Sequence, residues 1–287
     1  MSFFKSCLLL LLASVSVGAH VCFAIYGMSR SANYTHASFE KYLLEPLRLH
    51  NISYTVYFHT WLPRTVVYNN HWSGETALNL SVTDYRYIPA DVVEAEIEPL
   101  LDIKPYAKFG DPWRAFVRER GGTVSHELEH VIYSLMSLWR VTQMWKNGAV
   151  VCQTVICTRP DFLFVHPLQT AWLNTSNVLT PNFSAWPIND RFALGPADKM
   201  VIYGERFDLA LVYAQRKAMH TEAFLAYVFA LNKWSSANRI DFCFFRMRAN
   251  GLAVPEIGKA CNSHVQRLKK TLAWVPPLFR QPQYKRL

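Results

Sequence analysis

The stretch Thr154-Val155-Ile156-Cys157-Thr158-Arg159-Pro160-Asp161-Phe162-Leu163-Phe164 decides how the chain reads. Its β-branched, apolar opening, Val155 to Cys157, predicts a buried strand. Proline has no amide hydrogen and a fixed φ, so Pro160 should end the pairing and hold Arg159 and Asp161 together at the strand's exit. In an open α/β sheet that edge is where ligands bind. A solvated ion pair at a strand end is the plainer meaning of the same residues.

Outward from that corner the other strands follow. Residues 21–27, VCFAIYG, predict a strand running into a turn at Gly27, Met28, Ser29, Arg30 and Ser31. The turn feeds a helix over residues 35–49, in which Phe39, Tyr42, Leu43 and Leu47 keep helical spacing, and residues 53–60 predict the strand that completes a β-α-β unit. A strand, a glycine turn carrying an arginine and a helix make a nucleotide-binding corner, where backbone amides and Arg30 can meet a phosphate or a base. A glycine that serves only the turn is the alternative. Residues 62–122 are mixed and aromatic-rich, with acids at Asp91, Glu94, Glu96 and Glu98, and no chemistry is assigned to them.

Residues 125–146 predict the longest helix, with Leu128, Val131, Ile132, Leu135, Leu138, Val141 and Trp145 on one face. It opens with His126-Glu127-Leu128-Glu129-His130, which matches the HExxH pattern of zinc peptidases. The extra charge at Glu129 and the lack of an evident third ligand count against that meaning and favour an exposed polar first turn. Past a loop-rich segment, 167–186, Asn189 and Asp190 offer oxygen ligands or a base, and the run to Gly195 reads as a helix start. Helices are expected over 206–220 and 221–232, with Glu222 near the start of the second. A strand over 240–245 then leads into Arg246 and Arg248. These two share one face of an extended segment and suit a diphosphate, although a basic strand edge looks the same.

The 287 residues are 51% hydrophobic, enough for one α/β domain or two small ones. The +9 formal charge suits a phosphate-bearing ligand or an anionic surface. No basic block is interleaved with aromatics, which sets nucleic acid aside. Lys5 followed by the apolar run from Cys7 predicts a signal peptide or short signal anchor over residues 1–19, and with it membrane association through that segment. Entry into the secretory pathway is expected, to the endoplasmic reticulum or Golgi lumen or to secretion. Five Asn-x-Ser/Thr sequons agree with this: Asn33, Asn51, Asn79, Asn174 and Asn182. Removing Cys7 with the signal leaves an odd number of cysteines, so at least one thiol stays free or pairs between chains.

Taken in order, CFAIYGMSRS, VYFHTW, SLMSLWRVTQMW, TRPDFLF, NDRFALG with a following Tyr203, HTEAFLAYVF and FFRMRANG resemble a group of glycosyltransferase-like proteins from eukaryotic microbes, large viruses and bacterial polysaccharide clusters. The resemblance runs from Val21 to Gly251. It implies a GT-A-like, Rossmann-type fold: an α/β domain over residues 20–259 whose mixed, mostly parallel sheet is flanked by helices. By its composition the remainder, 260–287, is a basic, proline-bearing C-terminal tail. The resemblance also implies a nucleotide-sugar donor, a glycan or other hydroxyl acceptor, and a divalent cation, Mn²⁺ or Mg²⁺, at an acidic motif. Here Arg159 stands where that motif's first acid is usual, which leaves Asp161 as the metal ligand, alone or with Asp190.

On this reading Gly27, Arg30, Asn189 and Arg191 meet the nucleotide, and Arg159, Arg246 and Arg248 meet the phosphates. Asp190 or Glu222 is the base that deprotonates the acceptor if the enzyme inverts. The reading requires Asp161 to face a cavity shared with Arg30 and Asp190, and it expects Asp161→Asn to abolish transfer without unfolding the chain. A sulfotransferase is the runner-up, because GMSRSAN after a strand resembles the loop that binds a phosphosulfate donor. A non-catalytic carbohydrate-binding relative is the third reading.

Overall fold

The computed structural model describes residues 20–64, 67–70, 75–79, 83–108, 124–183, 187–254 and 261, with backbone alone at 67–70, 75–79 and 124–127. The expected leader, 1–19, and the tail, 260–287 apart from Cys261, lie outside these residues. Among the described residues no helix is long and apolar enough to cross a membrane.

Strand β1 (Val21–Tyr26) is buried at every position, as a strand covered on both faces must be. Val21, Phe23 and Ile25 pack into one apolar cluster, and Cys22, Ala24 and Tyr26 into another on the opposite face. After the turn, α1 (Ala32–Phe39) passes through a π-helical turn (Glu40–Leu44) into α2 (Glu45–Leu49). Phe39, Leu43 and Leu47 fill the first cluster at helical spacing. β2 (Tyr54–Leu62) then returns parallel to β1 and completes the expected β-α-β unit.

Next come a hairpin, β3 (Val67–Asn70) with β4 (Glu75–Asn79), and β5 (Val92–Ile97), which runs parallel to β2 on its outer side. Sequence periodicity does not show β5, because it is an edge strand with exposed Val92 and Val93 and two glutamates. The long helix α3 (Val124–Lys146) lies where its periodicity predicts and buries Leu138, Val141 and Trp145 against the second cluster. β6 (Thr154–Thr158) is wholly buried and pairs in parallel with the other side of β1.

Beyond Pro160, β7 (Phe162–Phe164) starts a separate small sheet, and β8 (Thr180–Pro181) follows. The helix start expected before Gly195 is instead β9 (Ala193–Pro196), antiparallel to β6. A helix there would expose one side of Phe192, Ala193 and Leu194, whereas the strand buries all three. The central sheet therefore has the order β5-β2-β1-β6-β9, with β9 its antiparallel member.

After α4 (Ala197–Gly204), the single helix expected over 206–220 is instead a 3-10 turn (Glu205–Leu209) followed by α5 (Ala210–Ala214). Gly204 lets α4 press on α3, since a Cβ there would lie 1.9 Å from Thr142 Oγ1. Helix α6 (Thr221–Leu231) is capped by His220, whose Nδ1 accepts the Ala223 amide. β10 (Arg239–Ile240) pairs with β8, and β11 (Phe244–Met247) joins β7 and β12 (Ala253–Val254). Disulfides link Cys22 to Cys152 and Cys243 to Cys261. Cys157 is left as a buried free thiol, in keeping with the odd count.

Candidate functional site

Because β1, β2, β5 and β6 are parallel, their carboxyl ends share one edge of the sheet. Gly27 and Arg159 follow β1 and β6 directly at that edge. Register brings the remaining groups there. β9 runs antiparallel with Ala193 opposite Cys157, so residues 189–192 arrive beside the end of β6. Arg246 of β11 lies opposite Phe162, and the next amide, of Met247, donates to the Asp161 carbonyl at 2.8 Å, which leaves Arg248 beside Asp161.

Asp161 is the hub of a cationic cluster and is itself 1% exposed. Its Oδ1 accepts from Arg159 Nε at 2.9 Å, and its Oδ2 from Arg159 Nη2 at 2.7 Å and from Arg30 Nη2 at 3.1 Å. Burial pushes the carboxyl's pKa up, but the Arg159 and Arg30 guanidiniums, with Arg248 behind them, outweigh it and hold the group at about 2. Arg159 keeps 28% of its side chain exposed, and its Nη1 has no partner among the described residues.

This arrangement overturns two expectations for Asp161. Its carboxylate is enclosed and does not open onto a cavity. Nor do its surroundings fit Mn²⁺ or Mg²⁺. Like unit charges about 4 Å apart repel by roughly 4 kcal/mol at an effective dielectric near 20, so a dication placed against two bound guanidiniums is strongly opposed. Among the described residues no three His, Cys, Asp or Glu side chains could together hold a metal, although the side chains of His126 and Glu127 in the HExxH match lie outside them.

Gly27 has φ +101, a conformation that strongly favours glycine, and among the described residues beyond its chain neighbours no atom lies within 4 Å of where a Cβ would stand. Its amide, expected to face a nucleotide, instead donates inward to Ser137 Oγ at 2.7 Å. Ser137 in turn lies 2.8 Å from His59 Nδ1 and donates to the His59 carbonyl. Glu96 Oε1 is 3.5 Å from His59 Nε2. Even so, burial first and Arg140 second keep the imidazole neutral, with its pKa lowered to about 3. Ser137 and His59 are both fully buried, so this chain of contacts fixes the glycine turn to α3 and offers no open nucleophile.

Three expected ligand groups turn out to be ties within the fold. Buried Asn189 donates its amide to the Phe183 carbonyl at 2.8 Å and accepts the Arg191 amide at 2.9 Å, which pins the loop. Arg191 Nη1 lies 3.0 Å from Glu222 Oε1, so these two bind α6 to that loop. Arg246 stands half-buried in β11, beside the cluster.

Asp190 differs from all of these. It is half-buried, and its side chain has no hydrogen bond or ion pair among the described residues. Its carbonyl accepts from Tyr26 Oη at 3.1 Å and from Tyr203 Oη at 3.2 Å. Beneath it, Arg206 is 3% exposed, donates to the Tyr203 carbonyl at 2.7 Å and lies 4.2 Å over that ring. Burial raises Tyr26 and the Cys157 thiol to about 12 and Tyr203 well above its usual range, against the pull of Arg206. The phenol of Tyr26 feels both Asp190 and Arg159, so the free carboxylate and the cationic cluster flank one side chain. Sequence reading missed Tyr26, Arg206, His59 and Ser137 as site-building residues. No local signal marks them as such.

No family model matches the chain, and no curated protein matches it either. One solved structure that it resembles is the "Crystal structure of a glycosyltransferase involved in the glycosylation of the major capsid of PBCV-1". The likeness covers 78% of this chain and 80% of that one, at 11% identity and a TM-score of 0.34, and at that level it carries no argument about chemistry.

Proposed function

We propose that this protein is a GT-A-like glycosyltransferase that moves a sugar from a nucleotide-sugar to a hydroxyl acceptor at the carboxyl edge of the sheet. The observation that carries the reading is the meeting there of Arg30, Arg159 and Arg248 around one carboxylate with a second carboxylate, Asp190, that has no ion-pair partner among the described residues. The enclosure of Asp161 fails the condition that the sequence reading set for sugar transfer; what supports transfer instead is the set of arginines and Asp190.

In the reaction the bond from the sugar's anomeric carbon to the diphosphate breaks as a bond to the acceptor oxygen forms. The acceptor's proton passes to Asp190, and the nucleoside diphosphate leaves with the negative charge that the guanidiniums stabilise. Two disulfides support a lumenal or secreted setting, as do exposed Asn51 and Asn174 within sequons. The inward-turned Gly27 amide weighs against the sulfotransferase reading, since a phosphosulfate loop relies on such amides.

The test is a panel of UDP- and GDP-sugars and the phosphosulfate nucleotide, scored by thermal shift and by release of nucleoside diphosphate. Stabilisation and turnover with a nucleotide-sugar are expected. Response to the phosphosulfate nucleotide alone would transfer the assignment to the sulfotransferase. Acceptor binding without turnover of any donor would identify a non-catalytic relative.

A further inference from the structure

We propose that the diphosphate is held without a divalent metal, by a fork of arginines that Asp161 braces from inside. This rests on the donor-binding half of the function proposed above. Asp161 cannot itself reach a ligand, being 1% exposed, and its oxygens already accept three N–H bonds from Arg159 and Arg30. What reaches outward is Arg159. Two of its N–H groups are spent on Asp161, which fixes the plane of the guanidinium, and Nη1 on the partly exposed side is left to donate.

The Phe162 ring lies 5.6 Å from the Arg159 guanidinium carbon and limits its swing. Arg30 arrives from the other strand exit, and Arg248 adds its charge from behind. Three guanidiniums thus act on the one carboxylate that the sequence offers as a metal ligand, two of them through direct ion pairs. Guanidiniums match phosphate oxygens in geometry as well as in sign. A carboxylate whose task is to orient arginines explains why Arg159 stands where a second acid is expected.

Calorimetry on the whole chain decides this, with inorganic pyrophosphate as the probe in EDTA and again in Mn²⁺. Pyrophosphate should bind in EDTA with an affinity within about twofold of that in Mn²⁺, and Mn²⁺ alone should give no saturable heat. Arg159→Gln should weaken pyrophosphate binding by roughly 10-fold or more, the loss of a charge-assisted pair, and should also lower the thermal midpoint, because it takes two of the three N–H bonds from the buried Asp161 carboxylate; the comparison of EDTA with Mn²⁺ on the wild-type chain decides the proposal without that variant. Binding that appears only with Mn²⁺, saturable binding of Mn²⁺ alone, or no binding in either condition overturns the proposal. The two readings fail separately. Metal-free pyrophosphate binding with no donor turned over sinks sugar transfer and leaves the clamp, whereas turnover strictly dependent on Mn²⁺ keeps transfer and sinks the clamp.

Discussion

Arg159 and Asp161 grip each other across Pro160 through two parallel bonds, Nε to Oδ1 at 2.9 Å and Nη2 to Oδ2 at 2.7 Å, at the point where β6 leaves the central sheet. Proline stops the pairing there, and the fork turns the carboxylate inward and the rest of the guanidinium outward. The carboxylate at the centre of the cluster is therefore a structural tie.

Asp161→Asn should unfold the protein more readily, contrary to the expectation from sequence that the fold would be spared. It leaves two guanidiniums facing a neutral amide in a buried place, a loss of about 3–5 kcal/mol. Urea denaturation measures it. A change under about 1 kcal/mol would mean that solvent reaches the cluster and that the pair is an ordinary surface one.

Stability should fall with pH in two windows. His59 is held neutral down to about 3 against an ordinary value of 6.5, so the unfolded chain takes up a proton that the folded one refuses. Stability conferred by the neutral ring is complete above pH 6.5 and shrinks as pH falls toward 3, by up to about 1.4 kcal/mol per pH unit for one proton. Asp161, held at about 2 against an ordinary 3.8, contributes fully above pH 4, and that contribution is lost as pH drops through 2. Denaturant titrations of wild type and His59→Gln between pH 7.5 and 4.5 check the first window. Equal slopes for the two proteins would contradict it.

Asp190→Asn should lower kcat by roughly 10²- to 10⁴-fold, the usual worth of a general base, with donor affinity kept. Glu222→Gln should cost stability first, because it breaks the tie to Arg191. Steady-state kinetics on both variants separate the roles. If the Glu222 variant lost kcat while Asp190→Asn turned over normally, the base would have been assigned to the wrong carboxylate.

Gly27→Ala should destabilise through its backbone by about 1–2 kcal/mol, since φ +101 is strained for a residue with a Cβ even though nothing crowds that position. Ser137→Ala should cost a comparable amount, about 1–3 kcal/mol, by leaving the Gly27 amide without its acceptor. Thermal melts of the two single variants and of the double variant test whether they act on the same turn. Additive losses would separate them.

The sequence by itself determined the elements whose signal is local. β1 and β6 are covered on both faces and so read as unbroken apolar runs; α1 with α2, and α3, keep the 3.6-residue spacing that one buried face demands. It also marked Arg30, Arg159 and Asp161 as groups past strand ends, and Asp190 as a candidate ligand or base in a run it read as a helix start. Tertiary structure alone decided which of them meet, and how. The antiparallel run of β9 and the pairing of β11 with β7 carry Asp190 and Arg248 to the end of β6, and no spacing within the chain reveals those registers. Once there, packing buried Asp161 among arginines, turned the Gly27 amide toward Ser137, spent Asn189 on its own loop and joined Arg191 to Glu222. A side chain's role follows from the charges and donors that surround it. Distant segments supply those, so the order of residues names the candidates while the fold assigns their work.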